Sequence, residues 1–519
     1  MVASLLKICS TGMQDERLQP PRDQPNIGAF LTVLIKTGRY GTNWSRIDFD
    51  TKPEFGKSSV IRLPTHGELV GRVFLVVQMP DIQTAQKRAE KKAEKDGKEF
   101  VGPHFGWTNS LGHILVNQAA LHIGGTLVDT IPGQLMEILD EFQTPLEKVI
   151  ETGSQICRKD NGFDDRSFGT QTTSQKVVVN LPFWFSRGDP GCVLPIDALN
   201  IDEVRITISF SPVQNLYYTE SRALDLSGNV VQTQTPGGSL WPMSGSSFYY
   251  KDPSGSIVPG LEPNRFPAEH CRKYTDIKMP SSFSITDAYL LVEYIYLDKP
   301  EANRFRIADI QVPVVQHYTF TPQDNQNVPF VQIPLVIPNP TRDIFFYCQK
   351  YEGPGYNAPF LCTRDLSNSI VPYAPWWPDA EGLDERYYGD LKAGFSTRYS
   401  EPIRWLALNY AETLNRFSTE NVALFRSVIP SMEQRKAPWV HRYMYNIPLG
   451  IQNGFIPFSV PMGEANLDKV LRIRLILGFH GKTGILTDDY VDRYMVHSFA
   501  ETYNIFRVYG GRGAMMFAY

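Results

Sequence analysis

Cysteine is scarce in this chain of 519 residues: there are six, at Cys9, Cys157, Cys192, Cys271, Cys348 and Cys362. No two form a CxxC pair, so the chain encodes no disulfide framework and no zinc ribbon. Scattered buried thiols in a reducing compartment are expected instead. An excess of one charge is also missing. Lys and Arg number 51 against 55 Asp and Glu, a formal charge of −4, which excludes a strongly basic nucleic-acid coat as the main role. No stretch reaches the roughly 18 apolar residues that a membrane helix needs. At the start, the apolar run Val2 to Leu6 is ended by Lys7, so no secretory signal is expected. On that reading the glycosylation triplet Asn43-Trp44-Ser45 is a chance match.

Site chemistry is equally sparse. The nine histidines include no HxH and no HExxH, and none clusters with cysteine at metal-ligand spacing. No GxSxG elbow is present for a serine hydrolase. His113 and His122 sit among apolar residues and read as satisfied core or edge histidines. Gly478-Phe-His-Gly481-Lys482-Thr483 imitates the end of a phosphate loop, but Ile476 stands where the first glycine belongs, so it reads as a turn. Gly510-Gly-Arg-Gly513 is too short for a dinucleotide fingerprint and reads as close packing of the last strand. Asp164-Asp165 and Asp488-Asp489 are sequence neighbours, which point to opposite faces of a strand and make poor acid/base pairs. No catalytic, cofactor-binding or metal-binding residue is assigned, and the chain is not expected to be an enzyme.

What is present favours β structure. Aromatic residues reach 12 %, and 39 Gly and 38 Pro supply frequent turns, which suits many short strands. With 42 % hydrophobic residues a large core is available, so general disorder is excluded. At about 150 residues per domain the length fits three domains, and at about 250 it fits two β domains.

Strands are expected at 29–35, 59–63, 71–79, 113–116, 119–123, 177–185, 204–210 and 288–297. Further strands are expected at 328–337, 343–348, 404–408, 456–460, 470–477 and 503–509. Gly124-Gly125 reads as a hairpin turn. Gln134–Gln143, with Leu135, Ile138, Leu139 and Phe142 on one side, is the best helix, ended by Pro145. Residues 83–99 form a mixed-charge insertion with no face to bury. The expected organisation is an arm at 1–28 and a first domain at 29–298 with a long loop at 214–280. A linker at 299–314 and a second domain at 315–519 with a long loop at 351–400 follow.

Ordered blocks along the chain carry a family resemblance. They include Gly12-Met-Gln-Asp-Glu-Arg-Leu18, Pro53-Glu-Phe-Gly-Lys57, Gly67-Glu-Leu-Val70 and Val73-Phe-Leu-Val-Val-Gln-Met-Pro80. Trp107-Thr-Asn-Ser-Leu-Gly-His113 with Ile123-Gly-Gly125, then Leu181-Pro-Phe-Trp-Phe185, Leu194-Pro-Ile-Asp-Ala-Leu199 and Glu203-Val-Arg-Ile206, continue the order. Asn339-Pro-Thr-Arg-Asp-Ile344, Leu408-Asn409 with Arg416-Phe417, Phe425-Arg-Ser-Val-Ile-Pro430 and Tyr503-Asn-Ile-Phe-Arg-Val508 complete it. In this order the chain resembles the major capsid proteins of nucleocytoplasmic large DNA viruses. It departs from their pattern after Phe458 and in the charged insertion at 83–99.

The resemblance implies an all-β double jelly roll: two antiparallel eight-stranded β-sandwich domains side by side, with long loops and few short helices. It implies a structural protein forming pseudo-hexagonal homotrimeric capsomers that tile an icosahedral shell. The implied partners are neighbouring capsomers, penton and minor capsid proteins and the internal viral membrane, with no direct nucleic-acid binding. The implied place is the virion capsid, after synthesis and assembly in the host cytoplasm. The alternative reading is a β-sandwich carbohydrate-binding or glycoside-cleaving protein, with Trp241, Trp376 and Trp377 as stacking surfaces.

Overall fold

The computed structural model describes residues 40–81, 104–158, 176–220, 284–350, 401–450, 463–481 and 491–517, apart from a few single positions, with isolated positions between. The expected arm, the strands at 29–35 and 456–460, most of 83–99 and the bulk of both long loops lie outside the described residues.

In the first half the strands are β1 (Tyr40–Asp48), β2 (Ser58–Arg62), β3 (Leu69–Gln78), β4 (His104–Trp107) and β5 (Val116–Ile123). They continue with β6 (Thr126–Pro132), β7 (Lys176–Asn180), β8 (Val204–Phe210), β9 (Tyr217–Glu220) and β10 (Asp287–Leu297). Helices α1 (Leu111–Leu115), α2 (Gly133–Gln143) and α3 (Val149–Gln155) are inserted among them, and α4 (Lys299–Ile307) follows. The second half holds β11 (Ile310–Thr319), β12 (Gln323–Asp324), β13 (Phe330–Leu335), β14 (Thr341–Lys350), β15 (Ile403–Tyr410) and β16 (Leu414–Thr419). After α5 (Ile429–Glu433) come β17 (Met444–Pro448), β18 (Ile473–Phe479), β19 (Tyr494–Tyr509) and β20 (Arg512–Met515).

The two halves share one topology. In the first, β1-β10-β3-β7 faces β2-β8-β5-β6; in the second, β11-β19-β14-β17 faces β13-β18-β15-β16. Taken as the eight principal strands of each half in chain order, both sheets have the same order: 1-8-3-6 and 2-7-4-5. All pairings are antiparallel. That is the jelly-roll arrangement, made twice.

The residues explain the strands. β8, Val-Arg-Ile-Thr-Ile-Ser-Phe, buries every second side chain, as a half-exposed strand does. β14 is buried at all ten positions, so both its faces are covered. Gly124 and Gly125 have φ of 59° and 84° and close the two-residue β5–β6 hairpin. Gly510 and Gly511, at 57° and 80°, do the same between β19 and β20.

Three expectations are corrected. His113–Leu115, read as strand, is helical: Leu111, Ile114 and Leu115 are all buried, and so short an apolar run fits either period. The run at 177–185 is strand only to Asn180, since Pro182 has no N–H to extend the ladder and a 3₁₀ turn, Trp184–Arg187, follows. The stretch read as a linker at 299–314 is helix α4 and then the beginning of β11. Pro313 is tolerated there because β11 is an edge strand.

Candidate functional site

The most elaborated chemistry in the molecule is a buried seam where the two halves meet. α2 lies at its centre. Leu135, Ile138, Leu139 and Phe142 are buried as expected, but Glu137 and Glu141, one turn apart, are buried too. The helix enters through Gly133, where an added Cβ would lie 2.0 Å from the His113 carbonyl oxygen and 2.3 Å from that of Val116. At its far end the Phe142 carbonyl accepts the N–H groups of Arg435 and Lys436 from the second half. Phe142 packs on Phe345 of β14 with centroids 5.4 Å apart, and Trp184 packs on Phe506 of β19 at 5.6 Å.

Glu137 is surrounded by donors. Ser110 Oγ donates to Oε1 at 2.8 Å, His113 Nδ1 lies 2.6 Å from Oε2, and Arg158 Nη2 donates to Oε2 at 2.6 Å. Arg442, from the second half, is 3.1 Å from Oε1. Burial alone would raise the carboxyl's pKa. Arg158, Arg442 and His113 override it and hold Glu137 well below the usual carboxylate range. Glu141 accepts from Lys436 at 3.2 Å, and Arg158 also binds Asp140. Ser110 has φ of 54°, a left-handed conformation that a non-glycine residue adopts at a cost, and its hydroxyl is thereby placed among these charges.

A second group joins β6 to β11 and β19. Asp129 Oδ2 lies 2.9 Å from His317 Nδ1, and Asp129 Oδ1 accepts the His317 backbone N–H. Arg187 donates to His317 Nε2 and, at 2.6 Å, to Glu501 Oε1. Burial would lower the His317 pKa, but Asp129 and Glu501 outweigh it and raise it above the usual histidine value. Glu501 is fully buried, yet Arg187, His317 and Arg342 keep its carboxyl ionised and far below the usual range. Gln316 donates to the Val128 carbonyl at 2.6 Å. At the rim, Ile201 N–H donates to the Gly511 carbonyl and Gly513 N–H to Asp202.

Such a seam orients two bodies. Removing one partner from a buried ion pair costs about 3–5 kcal/mol, so the network penalises any other docking of the halves. Among the described residues no group of three or more His, Cys, Asp or Glu side chains has the geometry to hold a metal. Cys157, Cys192, Cys348 and Cys362 are buried free thiols, and burial pushes Cys192 and Cys362 up to about 12. No described helix is long and apolar enough to cross a membrane.

The residues weighed in the sequence fall as follows. His113 is a satisfied core histidine, held by Glu137; His122 lies on β5 opposite Arg205. Gly478 is inside β18, where a Cβ would collide with the Trp405 indole. Gly510-Gly511 is a hairpin turn, and Gly513 packs on Phe506 and Leu199. Asn43–Ser45 lie on β1. Asp164, Asp165, Asp488, Asp489, Trp241, Trp376 and Trp377 lie outside the described residues. Sequence reasoning missed the seam, although Glu137 and Glu141 in an apolar helix, and Glu501 in an apolar strand, were its traces.

The comparisons with known proteins agree with this architecture. The family model described as the major capsid protein N-terminus matches residues 30–298. The probable capsid protein 4 of Acanthamoeba polyphaga mimivirus is 24 % identical over 221 residues, 42 % of this chain and 39 % of that protein. The chain thus spans about two fifths of the length of the first curated relatives it matches. The solved capsid of PBCV-1 superposes with a TM-score of 0.61 at 14 % identity, covering 94 % of this chain and 100 % of that one. The Faustovirus major capsid protein gives 0.57 at 10 %, covering 97 % and 98 %.

Proposed function

Since the chain belongs to the major capsid protein family, whose N-terminal model spans just over half of it, we propose that it builds the shell of a large DNA virus as a homotrimeric capsomer. The observation that carries the reading is the repetition of one sheet order in two halves locked by a buried seam. A rigid two-lobed subunit gives six lobes on a three-fold axis. The outline is then nearly hexagonal, and hexagonal blocks tile icosahedral faces with approximately equivalent contacts. The work of such a protein is mechanical, so no catalysis is required of it.

The division into two jelly rolls falls at α4, between residues 298 and 310. Neighbouring capsomers, penton and minor capsid proteins and the membrane beneath the shell are the partners this role requires, and synthesis in the host cytoplasm is the route it requires. Exposed large apolar side chains supply candidate contacts: Ile307 is 86 % exposed and Tyr509 68 %. The carbohydrate-binding alternative gains no support from the relatives.

Light scattering after size exclusion tests the proposal. A stable species near three times 58.8 kDa is the expected result. A clean monomer at all concentrations, binding glycans saturably, overturns it.

A further inference from the structure

Between the outer face of the β1-β10-β3-β7 sheet and the end of α2 runs a groove of about 360 Å³. Four cationic side chains from four separate segments line it: Arg72 on β3, Lys148 ahead of α3, Arg187 after β7 and Arg435 from the second half. Asp140 is the one carboxylate among the described lining residues, and Arg158 and Thr144 already engage it. Arg187 is engaged by Glu501. Arg72 and Lys148, both exposed, form no ion pair among the described residues. Burial, and the like charges of Arg187 and Arg342, hold the Arg435 guanidinium below its usual pKa, with Glu147 opposing them. The floor is aromatic. Trp44 and Phe74 lie 5.6 Å apart, and Trp44 is 40 % exposed.

We propose that this groove binds an acidic polypeptide segment, with its carboxylates on Arg72, Lys148 and Arg435 and its apolar side chains on Trp44 and Phe74. Charge complementarity argues for an acidic occupant. Layout argues for a polypeptide. A phosphate site gathers backbone N–H groups at one point, usually a helix N-terminus or a nest. Here the cations ring a cavity of ligand size that Trp44, Phe74, Met136 and Leu139 also line. The groove spans both halves of the chain, so its occupant would touch both. The inference goes beyond the shell reading and holds whether or not the chain forms trimers.

The test is calorimetric titration of the full-length protein with hexaglutamate and, separately, with inorganic triphosphate. Hexaglutamate is expected to bind saturably and to quench tryptophan fluorescence. Its affinity should fall about tenfold or more in Arg72→Glu/Lys148→Glu, whose thermal unfolding should match the parent. Trp44→Phe should keep the binding and lose most of the quench. Should the double variant fold poorly, Lys148→Ala, a change at an exposed position, should still weaken binding about threefold. Absence of saturable binding overturns the proposal, as does an affinity unchanged in the charge variants. Binding of triphosphate without hexaglutamate also overturns it, by making the groove a phosphate site.

Discussion

Asp129 and His317, 188 residues apart, hold each other twice: Oδ2 lies 2.9 Å from the ring Nδ1, and Oδ1 accepts the backbone N–H at 3.1 Å. Both side chains are fully buried, one from each half of the chain. Asp129→Asn should therefore destabilise the protein by about 3–5 kcal/mol, because it strips charge from one side of a closed network. Combining it with His317→Gln should cost less than the sum of the two single changes. Urea unfolding of the three variants measures both quantities.

His497 gives the protein an acid limit. Burial pushes its pKa down to about 4, while it contacts Gln349 and stacks on Tyr347. The unfolded chain binds the proton near pH 6.5 and the folded one near 4, so between those values the unfolded state holds more protons. Stability is fully present above about pH 6.5 and falls as the pH drops toward 4, by about 3 kcal/mol in all. His497→Gln should flatten that slope, as read from urea midpoints between pH 7.5 and 4.5.

Gly133 tolerates no side chain. The space its Cβ would need is held by two backbone carbonyl oxygens, which cannot rotate away. Gly133→Ala should cost at least the upper end of the roughly 1–3 kcal/mol typical of overpacking, despite the better helix propensity of alanine. Thermal unfolding against Gly125→Ala, where a Cβ meets open space but φ is +84°, separates collision from strain.

Ile307 and Tyr509 are exposed apolar side chains on the folded subunit. Ile307→Ser/Tyr509→Ser should leave the unfolding midpoint within about 0.5 kcal/mol of the parent, as exposed positions do. The same change should shift the assembly toward a mass of 58.8 kDa in light scattering.

The strands of β8 and β10 were legible because alternate residues are buried and the residue types say so. β1 was not. Its sequence, Tyr-Gly-Thr-Asn-Trp-Ser-Arg-Ile-Asp, is mostly exposed on an edge and carries no period. β11 hid behind Pro313, which reads as a breaker unless the strand is known to lie on an edge. α2 was legible through Leu135, Ile138, Leu139 and Phe142, the last of which also packs on Phe345 of the second half. Nothing local marks Glu137 and Glu141 as buried, since an acid in a helix usually faces solvent. Only the approach of Arg158, Arg442 and Lys436, up to 305 residues away in sequence, makes them interior. Long-range charge pairing of that kind leaves no local signature.

β14 is covered on both faces, by its own sandwich and by the first half, where Phe345 meets Phe142. During synthesis the first half leaves the ribosome earlier and has α2 ready as a template. The second half made by itself would lose the cover that Phe142 gives Phe345. Birth order thus matters for this chain. A reading frame with the two halves exchanged would encode the same sandwiches, yet its nascent product would wait, sticky and uncovered, for its lid.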